Sequence, residues 1–310
     1  MKSVNMSFGV HAAENLAASV PLFREINNLK RIRGAASTDS VAAKLFKKAW
    51  SRVNGGAVVR TVALEIAKDA VIGANLGAID RETLQTADLN ETEIETILYR
   101  AFDVAAAPVE TSLRDELRRQ IATLRKTIEF EVPPFVELLA RQPRSGATKV
   151  GAPKLVFDAP ENHGEHSIIV SVYACLLAPR FAADIETVFL AALAHHFHNA
   201  YLPDSGFAGE ESLGEFLPAI FDALRRKCLA QIPENLHEKI RHSLKIIETA
   251  DAPEAKAFHA ADVIDRVLQM RQHAEANEFT LKYAMEEAEL VHAGAIQEFH
   301  YEVLRAAELI

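Results

Sequence analysis

The sequence predicts an all-α protein, and three observations carry that expectation. Apolar residues recur at helical spacing along most of the chain, no alternating run is long enough to build a sheet, and Gly and Pro pairs punctuate the helical stretches. No fixed-period repeat is present, so a solenoid is not expected. The charged, Ala-rich stretch 37–54 reads as a helix ended by Gly55-Gly56, and 57–75 and 91–107 follow the same pattern. Ser112 is positioned to cap a helix with Leu113, Leu117, Ile121, Leu124 and Ile128 on one face, stopped by Pro133-Pro134. Residues 141–160 contain three prolines and two glycines without a period. A linker or long loop is expected there, separating an N-terminal helical region (1–145) from a helical domain (155–310). Beyond it, helices are expected near 163–179, 184–200, 211–230, 234–248, 253–276 and 280–308.

Composition narrows the class. The 310 residues are 49% apolar and 25% charged, which excludes collagen-like, low-complexity and disulfide-stapled chains. Cys175 and Cys228 lie far apart in apolar surroundings and read as small buried hydrophobes, which fits a reducing, cytoplasmic setting. His11 and Glu14 interrupt the N-terminus, so no secretory leader is expected, and no apolar run is long enough to span a membrane. The net charge is −9, but residues 1–50 carry eight Lys/Arg and three Asp/Glu, or +5, leaving −14 for the remainder. Lys30, Arg31, Arg33, Lys44, Lys47, Lys48 and Arg52 read as a solvated helix face. A nucleic-acid polymer is not an expected partner, because the acidic remainder would repel it and aromatic residues do not interleave with the basic ones. There is no Gly-rich phosphate loop, CxxC pair, HExxH or GxSxG motif.

Histidine carries the chemical signal. Eleven of the twelve lie at or after His163, and five fall between His163 and His198. In ENHGEHS (161–167), Asn162 and Glu165 form a capping box that puts His166 in the first turn of a helix. A mostly apolar helix then runs into His195-His196-Phe197-His198-Asn199. Burying an imidazole costs free energy unless both nitrogens find partners, and a metal ion supplies one of them. Asp262, enclosed by Ala260, Ala261, Val263 and Ile264, needs a cation, either a metal or Arg266 at i+4. Asp265, beside Arg266, is the rival ligand and is expected to be solvated.

At these residues the chain resembles the HD-domain metal-dependent phosphohydrolase superfamily, a helical family. Its metal is held by a histidine early in one helix, a His-Asp pair on the next, and a later aspartate. EHS at 165–167, LAALAHH at 190–196 and AAD at 260–262 look like those elements. ENHGEHS is similar to the E-N-x-x-E-H-S of the bacterial HD-type 5′-deoxynucleotidases, and Asp204 stands where that branch has a second aspartate, eight residues after the pair. The resemblance implies an HD-like bundle over about 160–310, with His166, His195, His196 and Asp262 holding one divalent transition metal ion (Zn, Fe, Ni, Co or Mn). Asp204 would orient the water or protonate the leaving group. A metal-activated water would hydrolyse a nucleotide or another small phosphoester.

Two positions depart from the pattern. His196 replaces the aspartate of the pair, and Asn199 replaces a glutamate of the nucleotidase branch. Three neutral imidazoles and one carboxylate leave a divalent site at +1, which favours acidifying water and holding phosphate oxygens. Asparagine cannot act as a base, so a ligand-binding or regulatory HD protein without turnover is the first alternative. A di-iron oxygenase of the same superfamily is the second, with His237 and His242 as further ligands. His198 and Asn199 are substitute ligands at i+3 and i+4 from His195. His196 is either a ligand or a supporting group, because successive helical residues point about 100° apart. The N-terminal helices are expected to cover the site or to form a homodimer contact.

Overall fold

The computed structural model describes residues 16–35, 37–122, 130–146, 151, 155–156, 158, 160–249, 251–277, 280–286 and 290–310. Among these residues the fold is helical, without a strand and with isolated bridges such as Arg33 to Ser40 and Pro143 to Asn162. The N-terminal half comprises α1 (Leu16–Asn28), α2 (Val41–Asn54), α3 (Val59–Leu76), α4 (Arg81–Thr86), α5 (Glu91–Ala105), α6 (Thr111–Arg119) and α7 (Pro134–Leu139). The C-terminal half comprises α8 (His163–Phe181), α9 (Ile185–Ala194), a 3₁₀ turn (Phe197–Ala200), α10 (Gly206–Leu213), a second 3₁₀ turn (Gly214–Phe216) and α11 (Leu217–Leu229). It continues with α12 (Glu234–Ile246), α13 (Pro253–Asn277), α14 (Leu281–Glu286) and α15 (Gln297–Ala306).

Helix α8 is apolar around its whole circumference, and every residue from His163 to Ala178 is buried. Such a helix must be surrounded. It packs most extensively on α13 and α9, and on α2 and α3 from the N-terminal half. The expected capping box is present: Asn162 Oδ1 accepts from the Glu165 amide, and Glu165 Oε2 accepts from the Asn162 amide. The buried apolar residues on both sides of the loop expected as a boundary form one cluster, from Leu16 to Leu309. Cys175 and Cys228 are free and buried. No described helix is long and apolar enough to cross a membrane.

Several boundaries differ from expectation. The helix expected from Ser112 starts at Thr111 and ends at Arg119, with Glu110 as its cap, and its expected positions Leu124 and Ile128 lie outside the described residues. The helix expected over 211–230 starts at Gly206 and is broken at Gly214, whose φ of 52° suits glycine, before Pro218 opens the next helix. The helix expected over 280–308 is two helices, α14 and α15. The stretch 184–200 bears most directly on function. Helix α9 stops at Ala194, and His195 and His196 occupy a turn. Phe197 is the anchor of that turn. Its ring packs 5.4 Å from Trp50 and 4.8 Å from Phe135, which meet edge-on at 5.1 Å, and its carbonyl accepts from Cys228 Sγ at 3.2 Å.

Candidate metal centre

The turn after α9 delivers two adjacent imidazoles to the first turn of α8. His195 keeps helical dihedrals, its amide donating to the Ala191 carbonyl at 2.9 Å, whereas His196 (φ −100°, ψ 19°) leaves the helix, and the two ring centroids lie 4.0 Å apart. One ring nitrogen of each of His166, His195 and His196 lies within 4.8 Å of the others.

Each of these rings is oriented by a bond at Nδ1. His195 Nδ1 lies 2.7 Å from the Ala192 carbonyl, and His196 Nδ1 lies 2.9 Å from Asn199 Oδ1. His166 Nδ1 lies 2.7 Å from Asp265 Oδ2. For His195 and His196 the partners are acceptors, so Nδ1 carries the proton and Nε2 keeps its lone pair. His166 Nδ1 meets the Asp265 acceptor and also an Arg144 N–H donor at 3.0 Å, while its Nε2 faces Asp262 Oδ1 at 3.3 Å. The orientation of the Asn199 amide is fixed in turn by its Nδ2, which donates to the Leu202 carbonyl at 3.3 Å. His166 Nε2 and His195 Nε2 face each other at 3.3 Å. Three buried imidazoles and the Asp262 carboxylate so close together favour a cation among them, so the donor set fits a metal ion.

Burial reinforces this state. It pushes the pKa values of His195 and His196 well below the usual imidazole value, and their neighbouring histidines push in the same direction. Both rings are therefore neutral, as ligands must be.

Asp262 approaches from α13, with Oδ1 3.3 Å from His166 Nε2 and Oδ2 3.8 Å from Arg266. Burial opposes its ionisation, but His166 and Arg266 outweigh that and hold the carboxyl well below its usual range. Asp265 corrects an expectation. It is fully buried, because Arg266 turns away to the Leu290 carbonyl and Asp265 takes its partners from α1, the segment following it, and α8.

Asp204 lies on the cavity wall. It both starts a turn, accepting from the Gly206 amide at 2.8 Å, and reaches inward. It accepts from the Ser145 amide at 3.0 Å and lies 3.5 Å from His163 Nε2. The His163 ring is 4.5 Å from that of His196, so the sequence reading missed His163 as the link between Asp204 and the cluster. Burial alone would raise the Asp204 pKa, but His163 and the two amides hold it low, while burial pushes His163 down to about 4.

The centre opens into a cavity of about 500 Å³ lined by Arg144, Asp204, Phe258, Asp262, Arg266 and other residues. Arg144, another residue the sequence did not single out, is paired with Glu161 at 2.6 Å. The backbone joins them as well, through the Arg144 amide and the Glu161 carbonyl at 2.9 Å. His198 stacks on Phe221 at 3.8 Å, its ring 5.9 Å from that of His196, and it is not among the three clustered histidines. His237 bonds the Ile232 carbonyl and His242 is exposed, so neither lines this cavity.

A family model described as an HD domain matches residues 136–303, more than half of the chain. No curated protein and no solved structure matches it.

Proposed function

The chain belongs to the HD domain family, and from that premise we propose that it is a metal-dependent phosphohydrolase acting on a small phosphoester, a nucleotide or similar metabolite. The reading rests on one observation above all. One ring nitrogen each from His166, His195 and His196 gathers within 4.8 Å, and Asp262 Oδ1 lies 3.3 Å from His166 Nε2. His166, His195 and His196, with Asp262 from α13, are the proposed ligands of one divalent transition metal ion, since imidazole-rich sets suit Zn, Fe, Ni or Co. The ion supplies Lewis acidity, acidifying water and drawing charge from a phosphoryl group.

The remaining roles belong to the chain itself. Arg144 and Arg266 line the cavity as cations for phosphate oxygens. Asp204 is ionised at neutral pH, so its proposed role is to accept a proton and orient water, either directly or through His163, and not to protonate the leaving oxygen. Asn199 cannot transfer a proton, and both ends of its amide are already engaged. This weighs against the proton-transfer arrangement of the 5′-deoxynucleotidases.

Metal analysis of the purified wild type beside His195→Ala tests the centre. The wild type should carry about one equivalent and the variant should lose it, and a wild type that takes up none of these ions refutes the reading. A panel of phosphomonoesters and phosphodiesters with the loaded protein follows. Metal binding and nucleotide binding without phosphate release would establish the regulatory alternative instead.

A further inference from the structure

The family match begins at residue 136, yet the carboxylate that orients His166 is gripped from the opposite end of the chain. Lys30, two residues after α1, sends its ammonium into the interior, where the side chain is 1% exposed. Its Nζ lies 2.7 and 2.9 Å from the two oxygens of Asp265 and 2.6 Å from Glu161 Oε2. Asn27, in the last turn of α1, donates from Nδ2 to Asp265 Oδ1 at 2.9 Å. Glu161, His166 and Asp265 are close enough together to hold a cation of their own, and the Lys30 ammonium already fills that role between the two carboxylates.

The geometry points to Lys30 as a positioning residue for the metal centre: through Asp265 it sets the direction of the His166 ring, so that α1 and the residues after it complete the site from outside the matched segment. The inference rests on the metal reading above. Besides His166, the side chains that hold Asp265 are Lys30 and Asn27, both N-terminal. Without the ammonium, Asp265 becomes a buried charge without compensation, free to turn towards other donors. His166 Nδ1 then loses its fixed acceptor, and a ligating imidazole with a disturbed outer partner typically binds metal about ten- to a hundredfold more weakly.

The test uses the full chain, stripped of metal and titrated with Co(II), reading both the dissociation constant and the visible spectrum of the bound ion. Lys30→Met should weaken Co(II) binding about ten- to a hundredfold and alter the spectrum. Arg24→Ala, which breaks only the exposed Arg24–Glu275 pair between α1 and α13, should change neither. Asn27→Ala should act in the same direction as Lys30→Met by a smaller factor, and it carries the test alone if Lys30→Met does not fold. Adding Lys30→Met to Asp265→Asn should cost nothing further, because the influence runs through that carboxylate. Wild-type affinity and spectrum in Lys30→Met, or in Asn27→Ala where it stands alone, overturns this inference only, as does full additivity with Asp265→Asn. A wild type that does not bind Co(II) overturns the functional reading and this inference with it.

Discussion

At the residue scale, Asn199 shows how a departure from the family pattern acquires a different use. Its Oδ1 holds the proton of His196 and so aims the Nε2 of that ring. Asn199→Asp keeps an acceptor there and should keep metal affinity within a few-fold of wild type. Asn199→Leu removes the acceptor and should weaken binding by about tenfold or more, as measured by calorimetric metal titration. Histidine clustering and the ENHGEHS phrase made the ligand candidates legible in the sequence. Asp265 was misread because Arg266 beside it suggested a surface pair. Yet Asp262 and Asp265 are three residues apart, so they share one face of α13, and both reach His166, one at each nitrogen. Lys30 offered no such signal, since nothing local distinguishes a buried lysine from the basic residues around it.

At the scale of elements, two features position the site: the start of α8 and the end of α9. The first was fully legible, because a capping box is a local pattern. Asn162→Ala should cost about 1 kcal/mol in urea denaturation, with the loss felt at the helix end that carries His166. The second was not legible. Residues 184–200 have helical composition, and what stops the helix is the distant packing of Phe197 against Trp50 and Phe135. Phe197→Ala should therefore cost about 3–5 kcal/mol in the same measurement. It should also lower metal occupancy, because the His195-His196 turn loses its anchor. A variant with wild-type stability would show that the turn is held by other means.

At the scale of the whole molecule, buried histidines make stability depend on pH. Burial pushes His300 down to about 4 and His198 down to about 3, whereas unfolded histidine titrates near 6.5. Between those values the unfolded chain binds more protons, so stability rises with pH. It is fully present above about 6.5 and is lost as pH falls through the window, at about 1.4 kcal/mol per pH unit for each such histidine. Denaturation of the metal-free protein at pH 7 and pH 5 should show an earlier midpoint at pH 5, and a flat profile would contradict these burial assignments. The helical class could be read from the sequence, but the sharing of one core between the two halves could not, because periodicity says which face is apolar and not what covers it. The bonds from Lys30 and Asn27 to Asp265 bridge 235 and 238 positions of the chain. Contacts of such long range form late, after most of the chain entropy has been given up. An ion at this centre would therefore find no finished seat until these distant segments had come together, so that its capture would seal a folded protein instead of templating the fold.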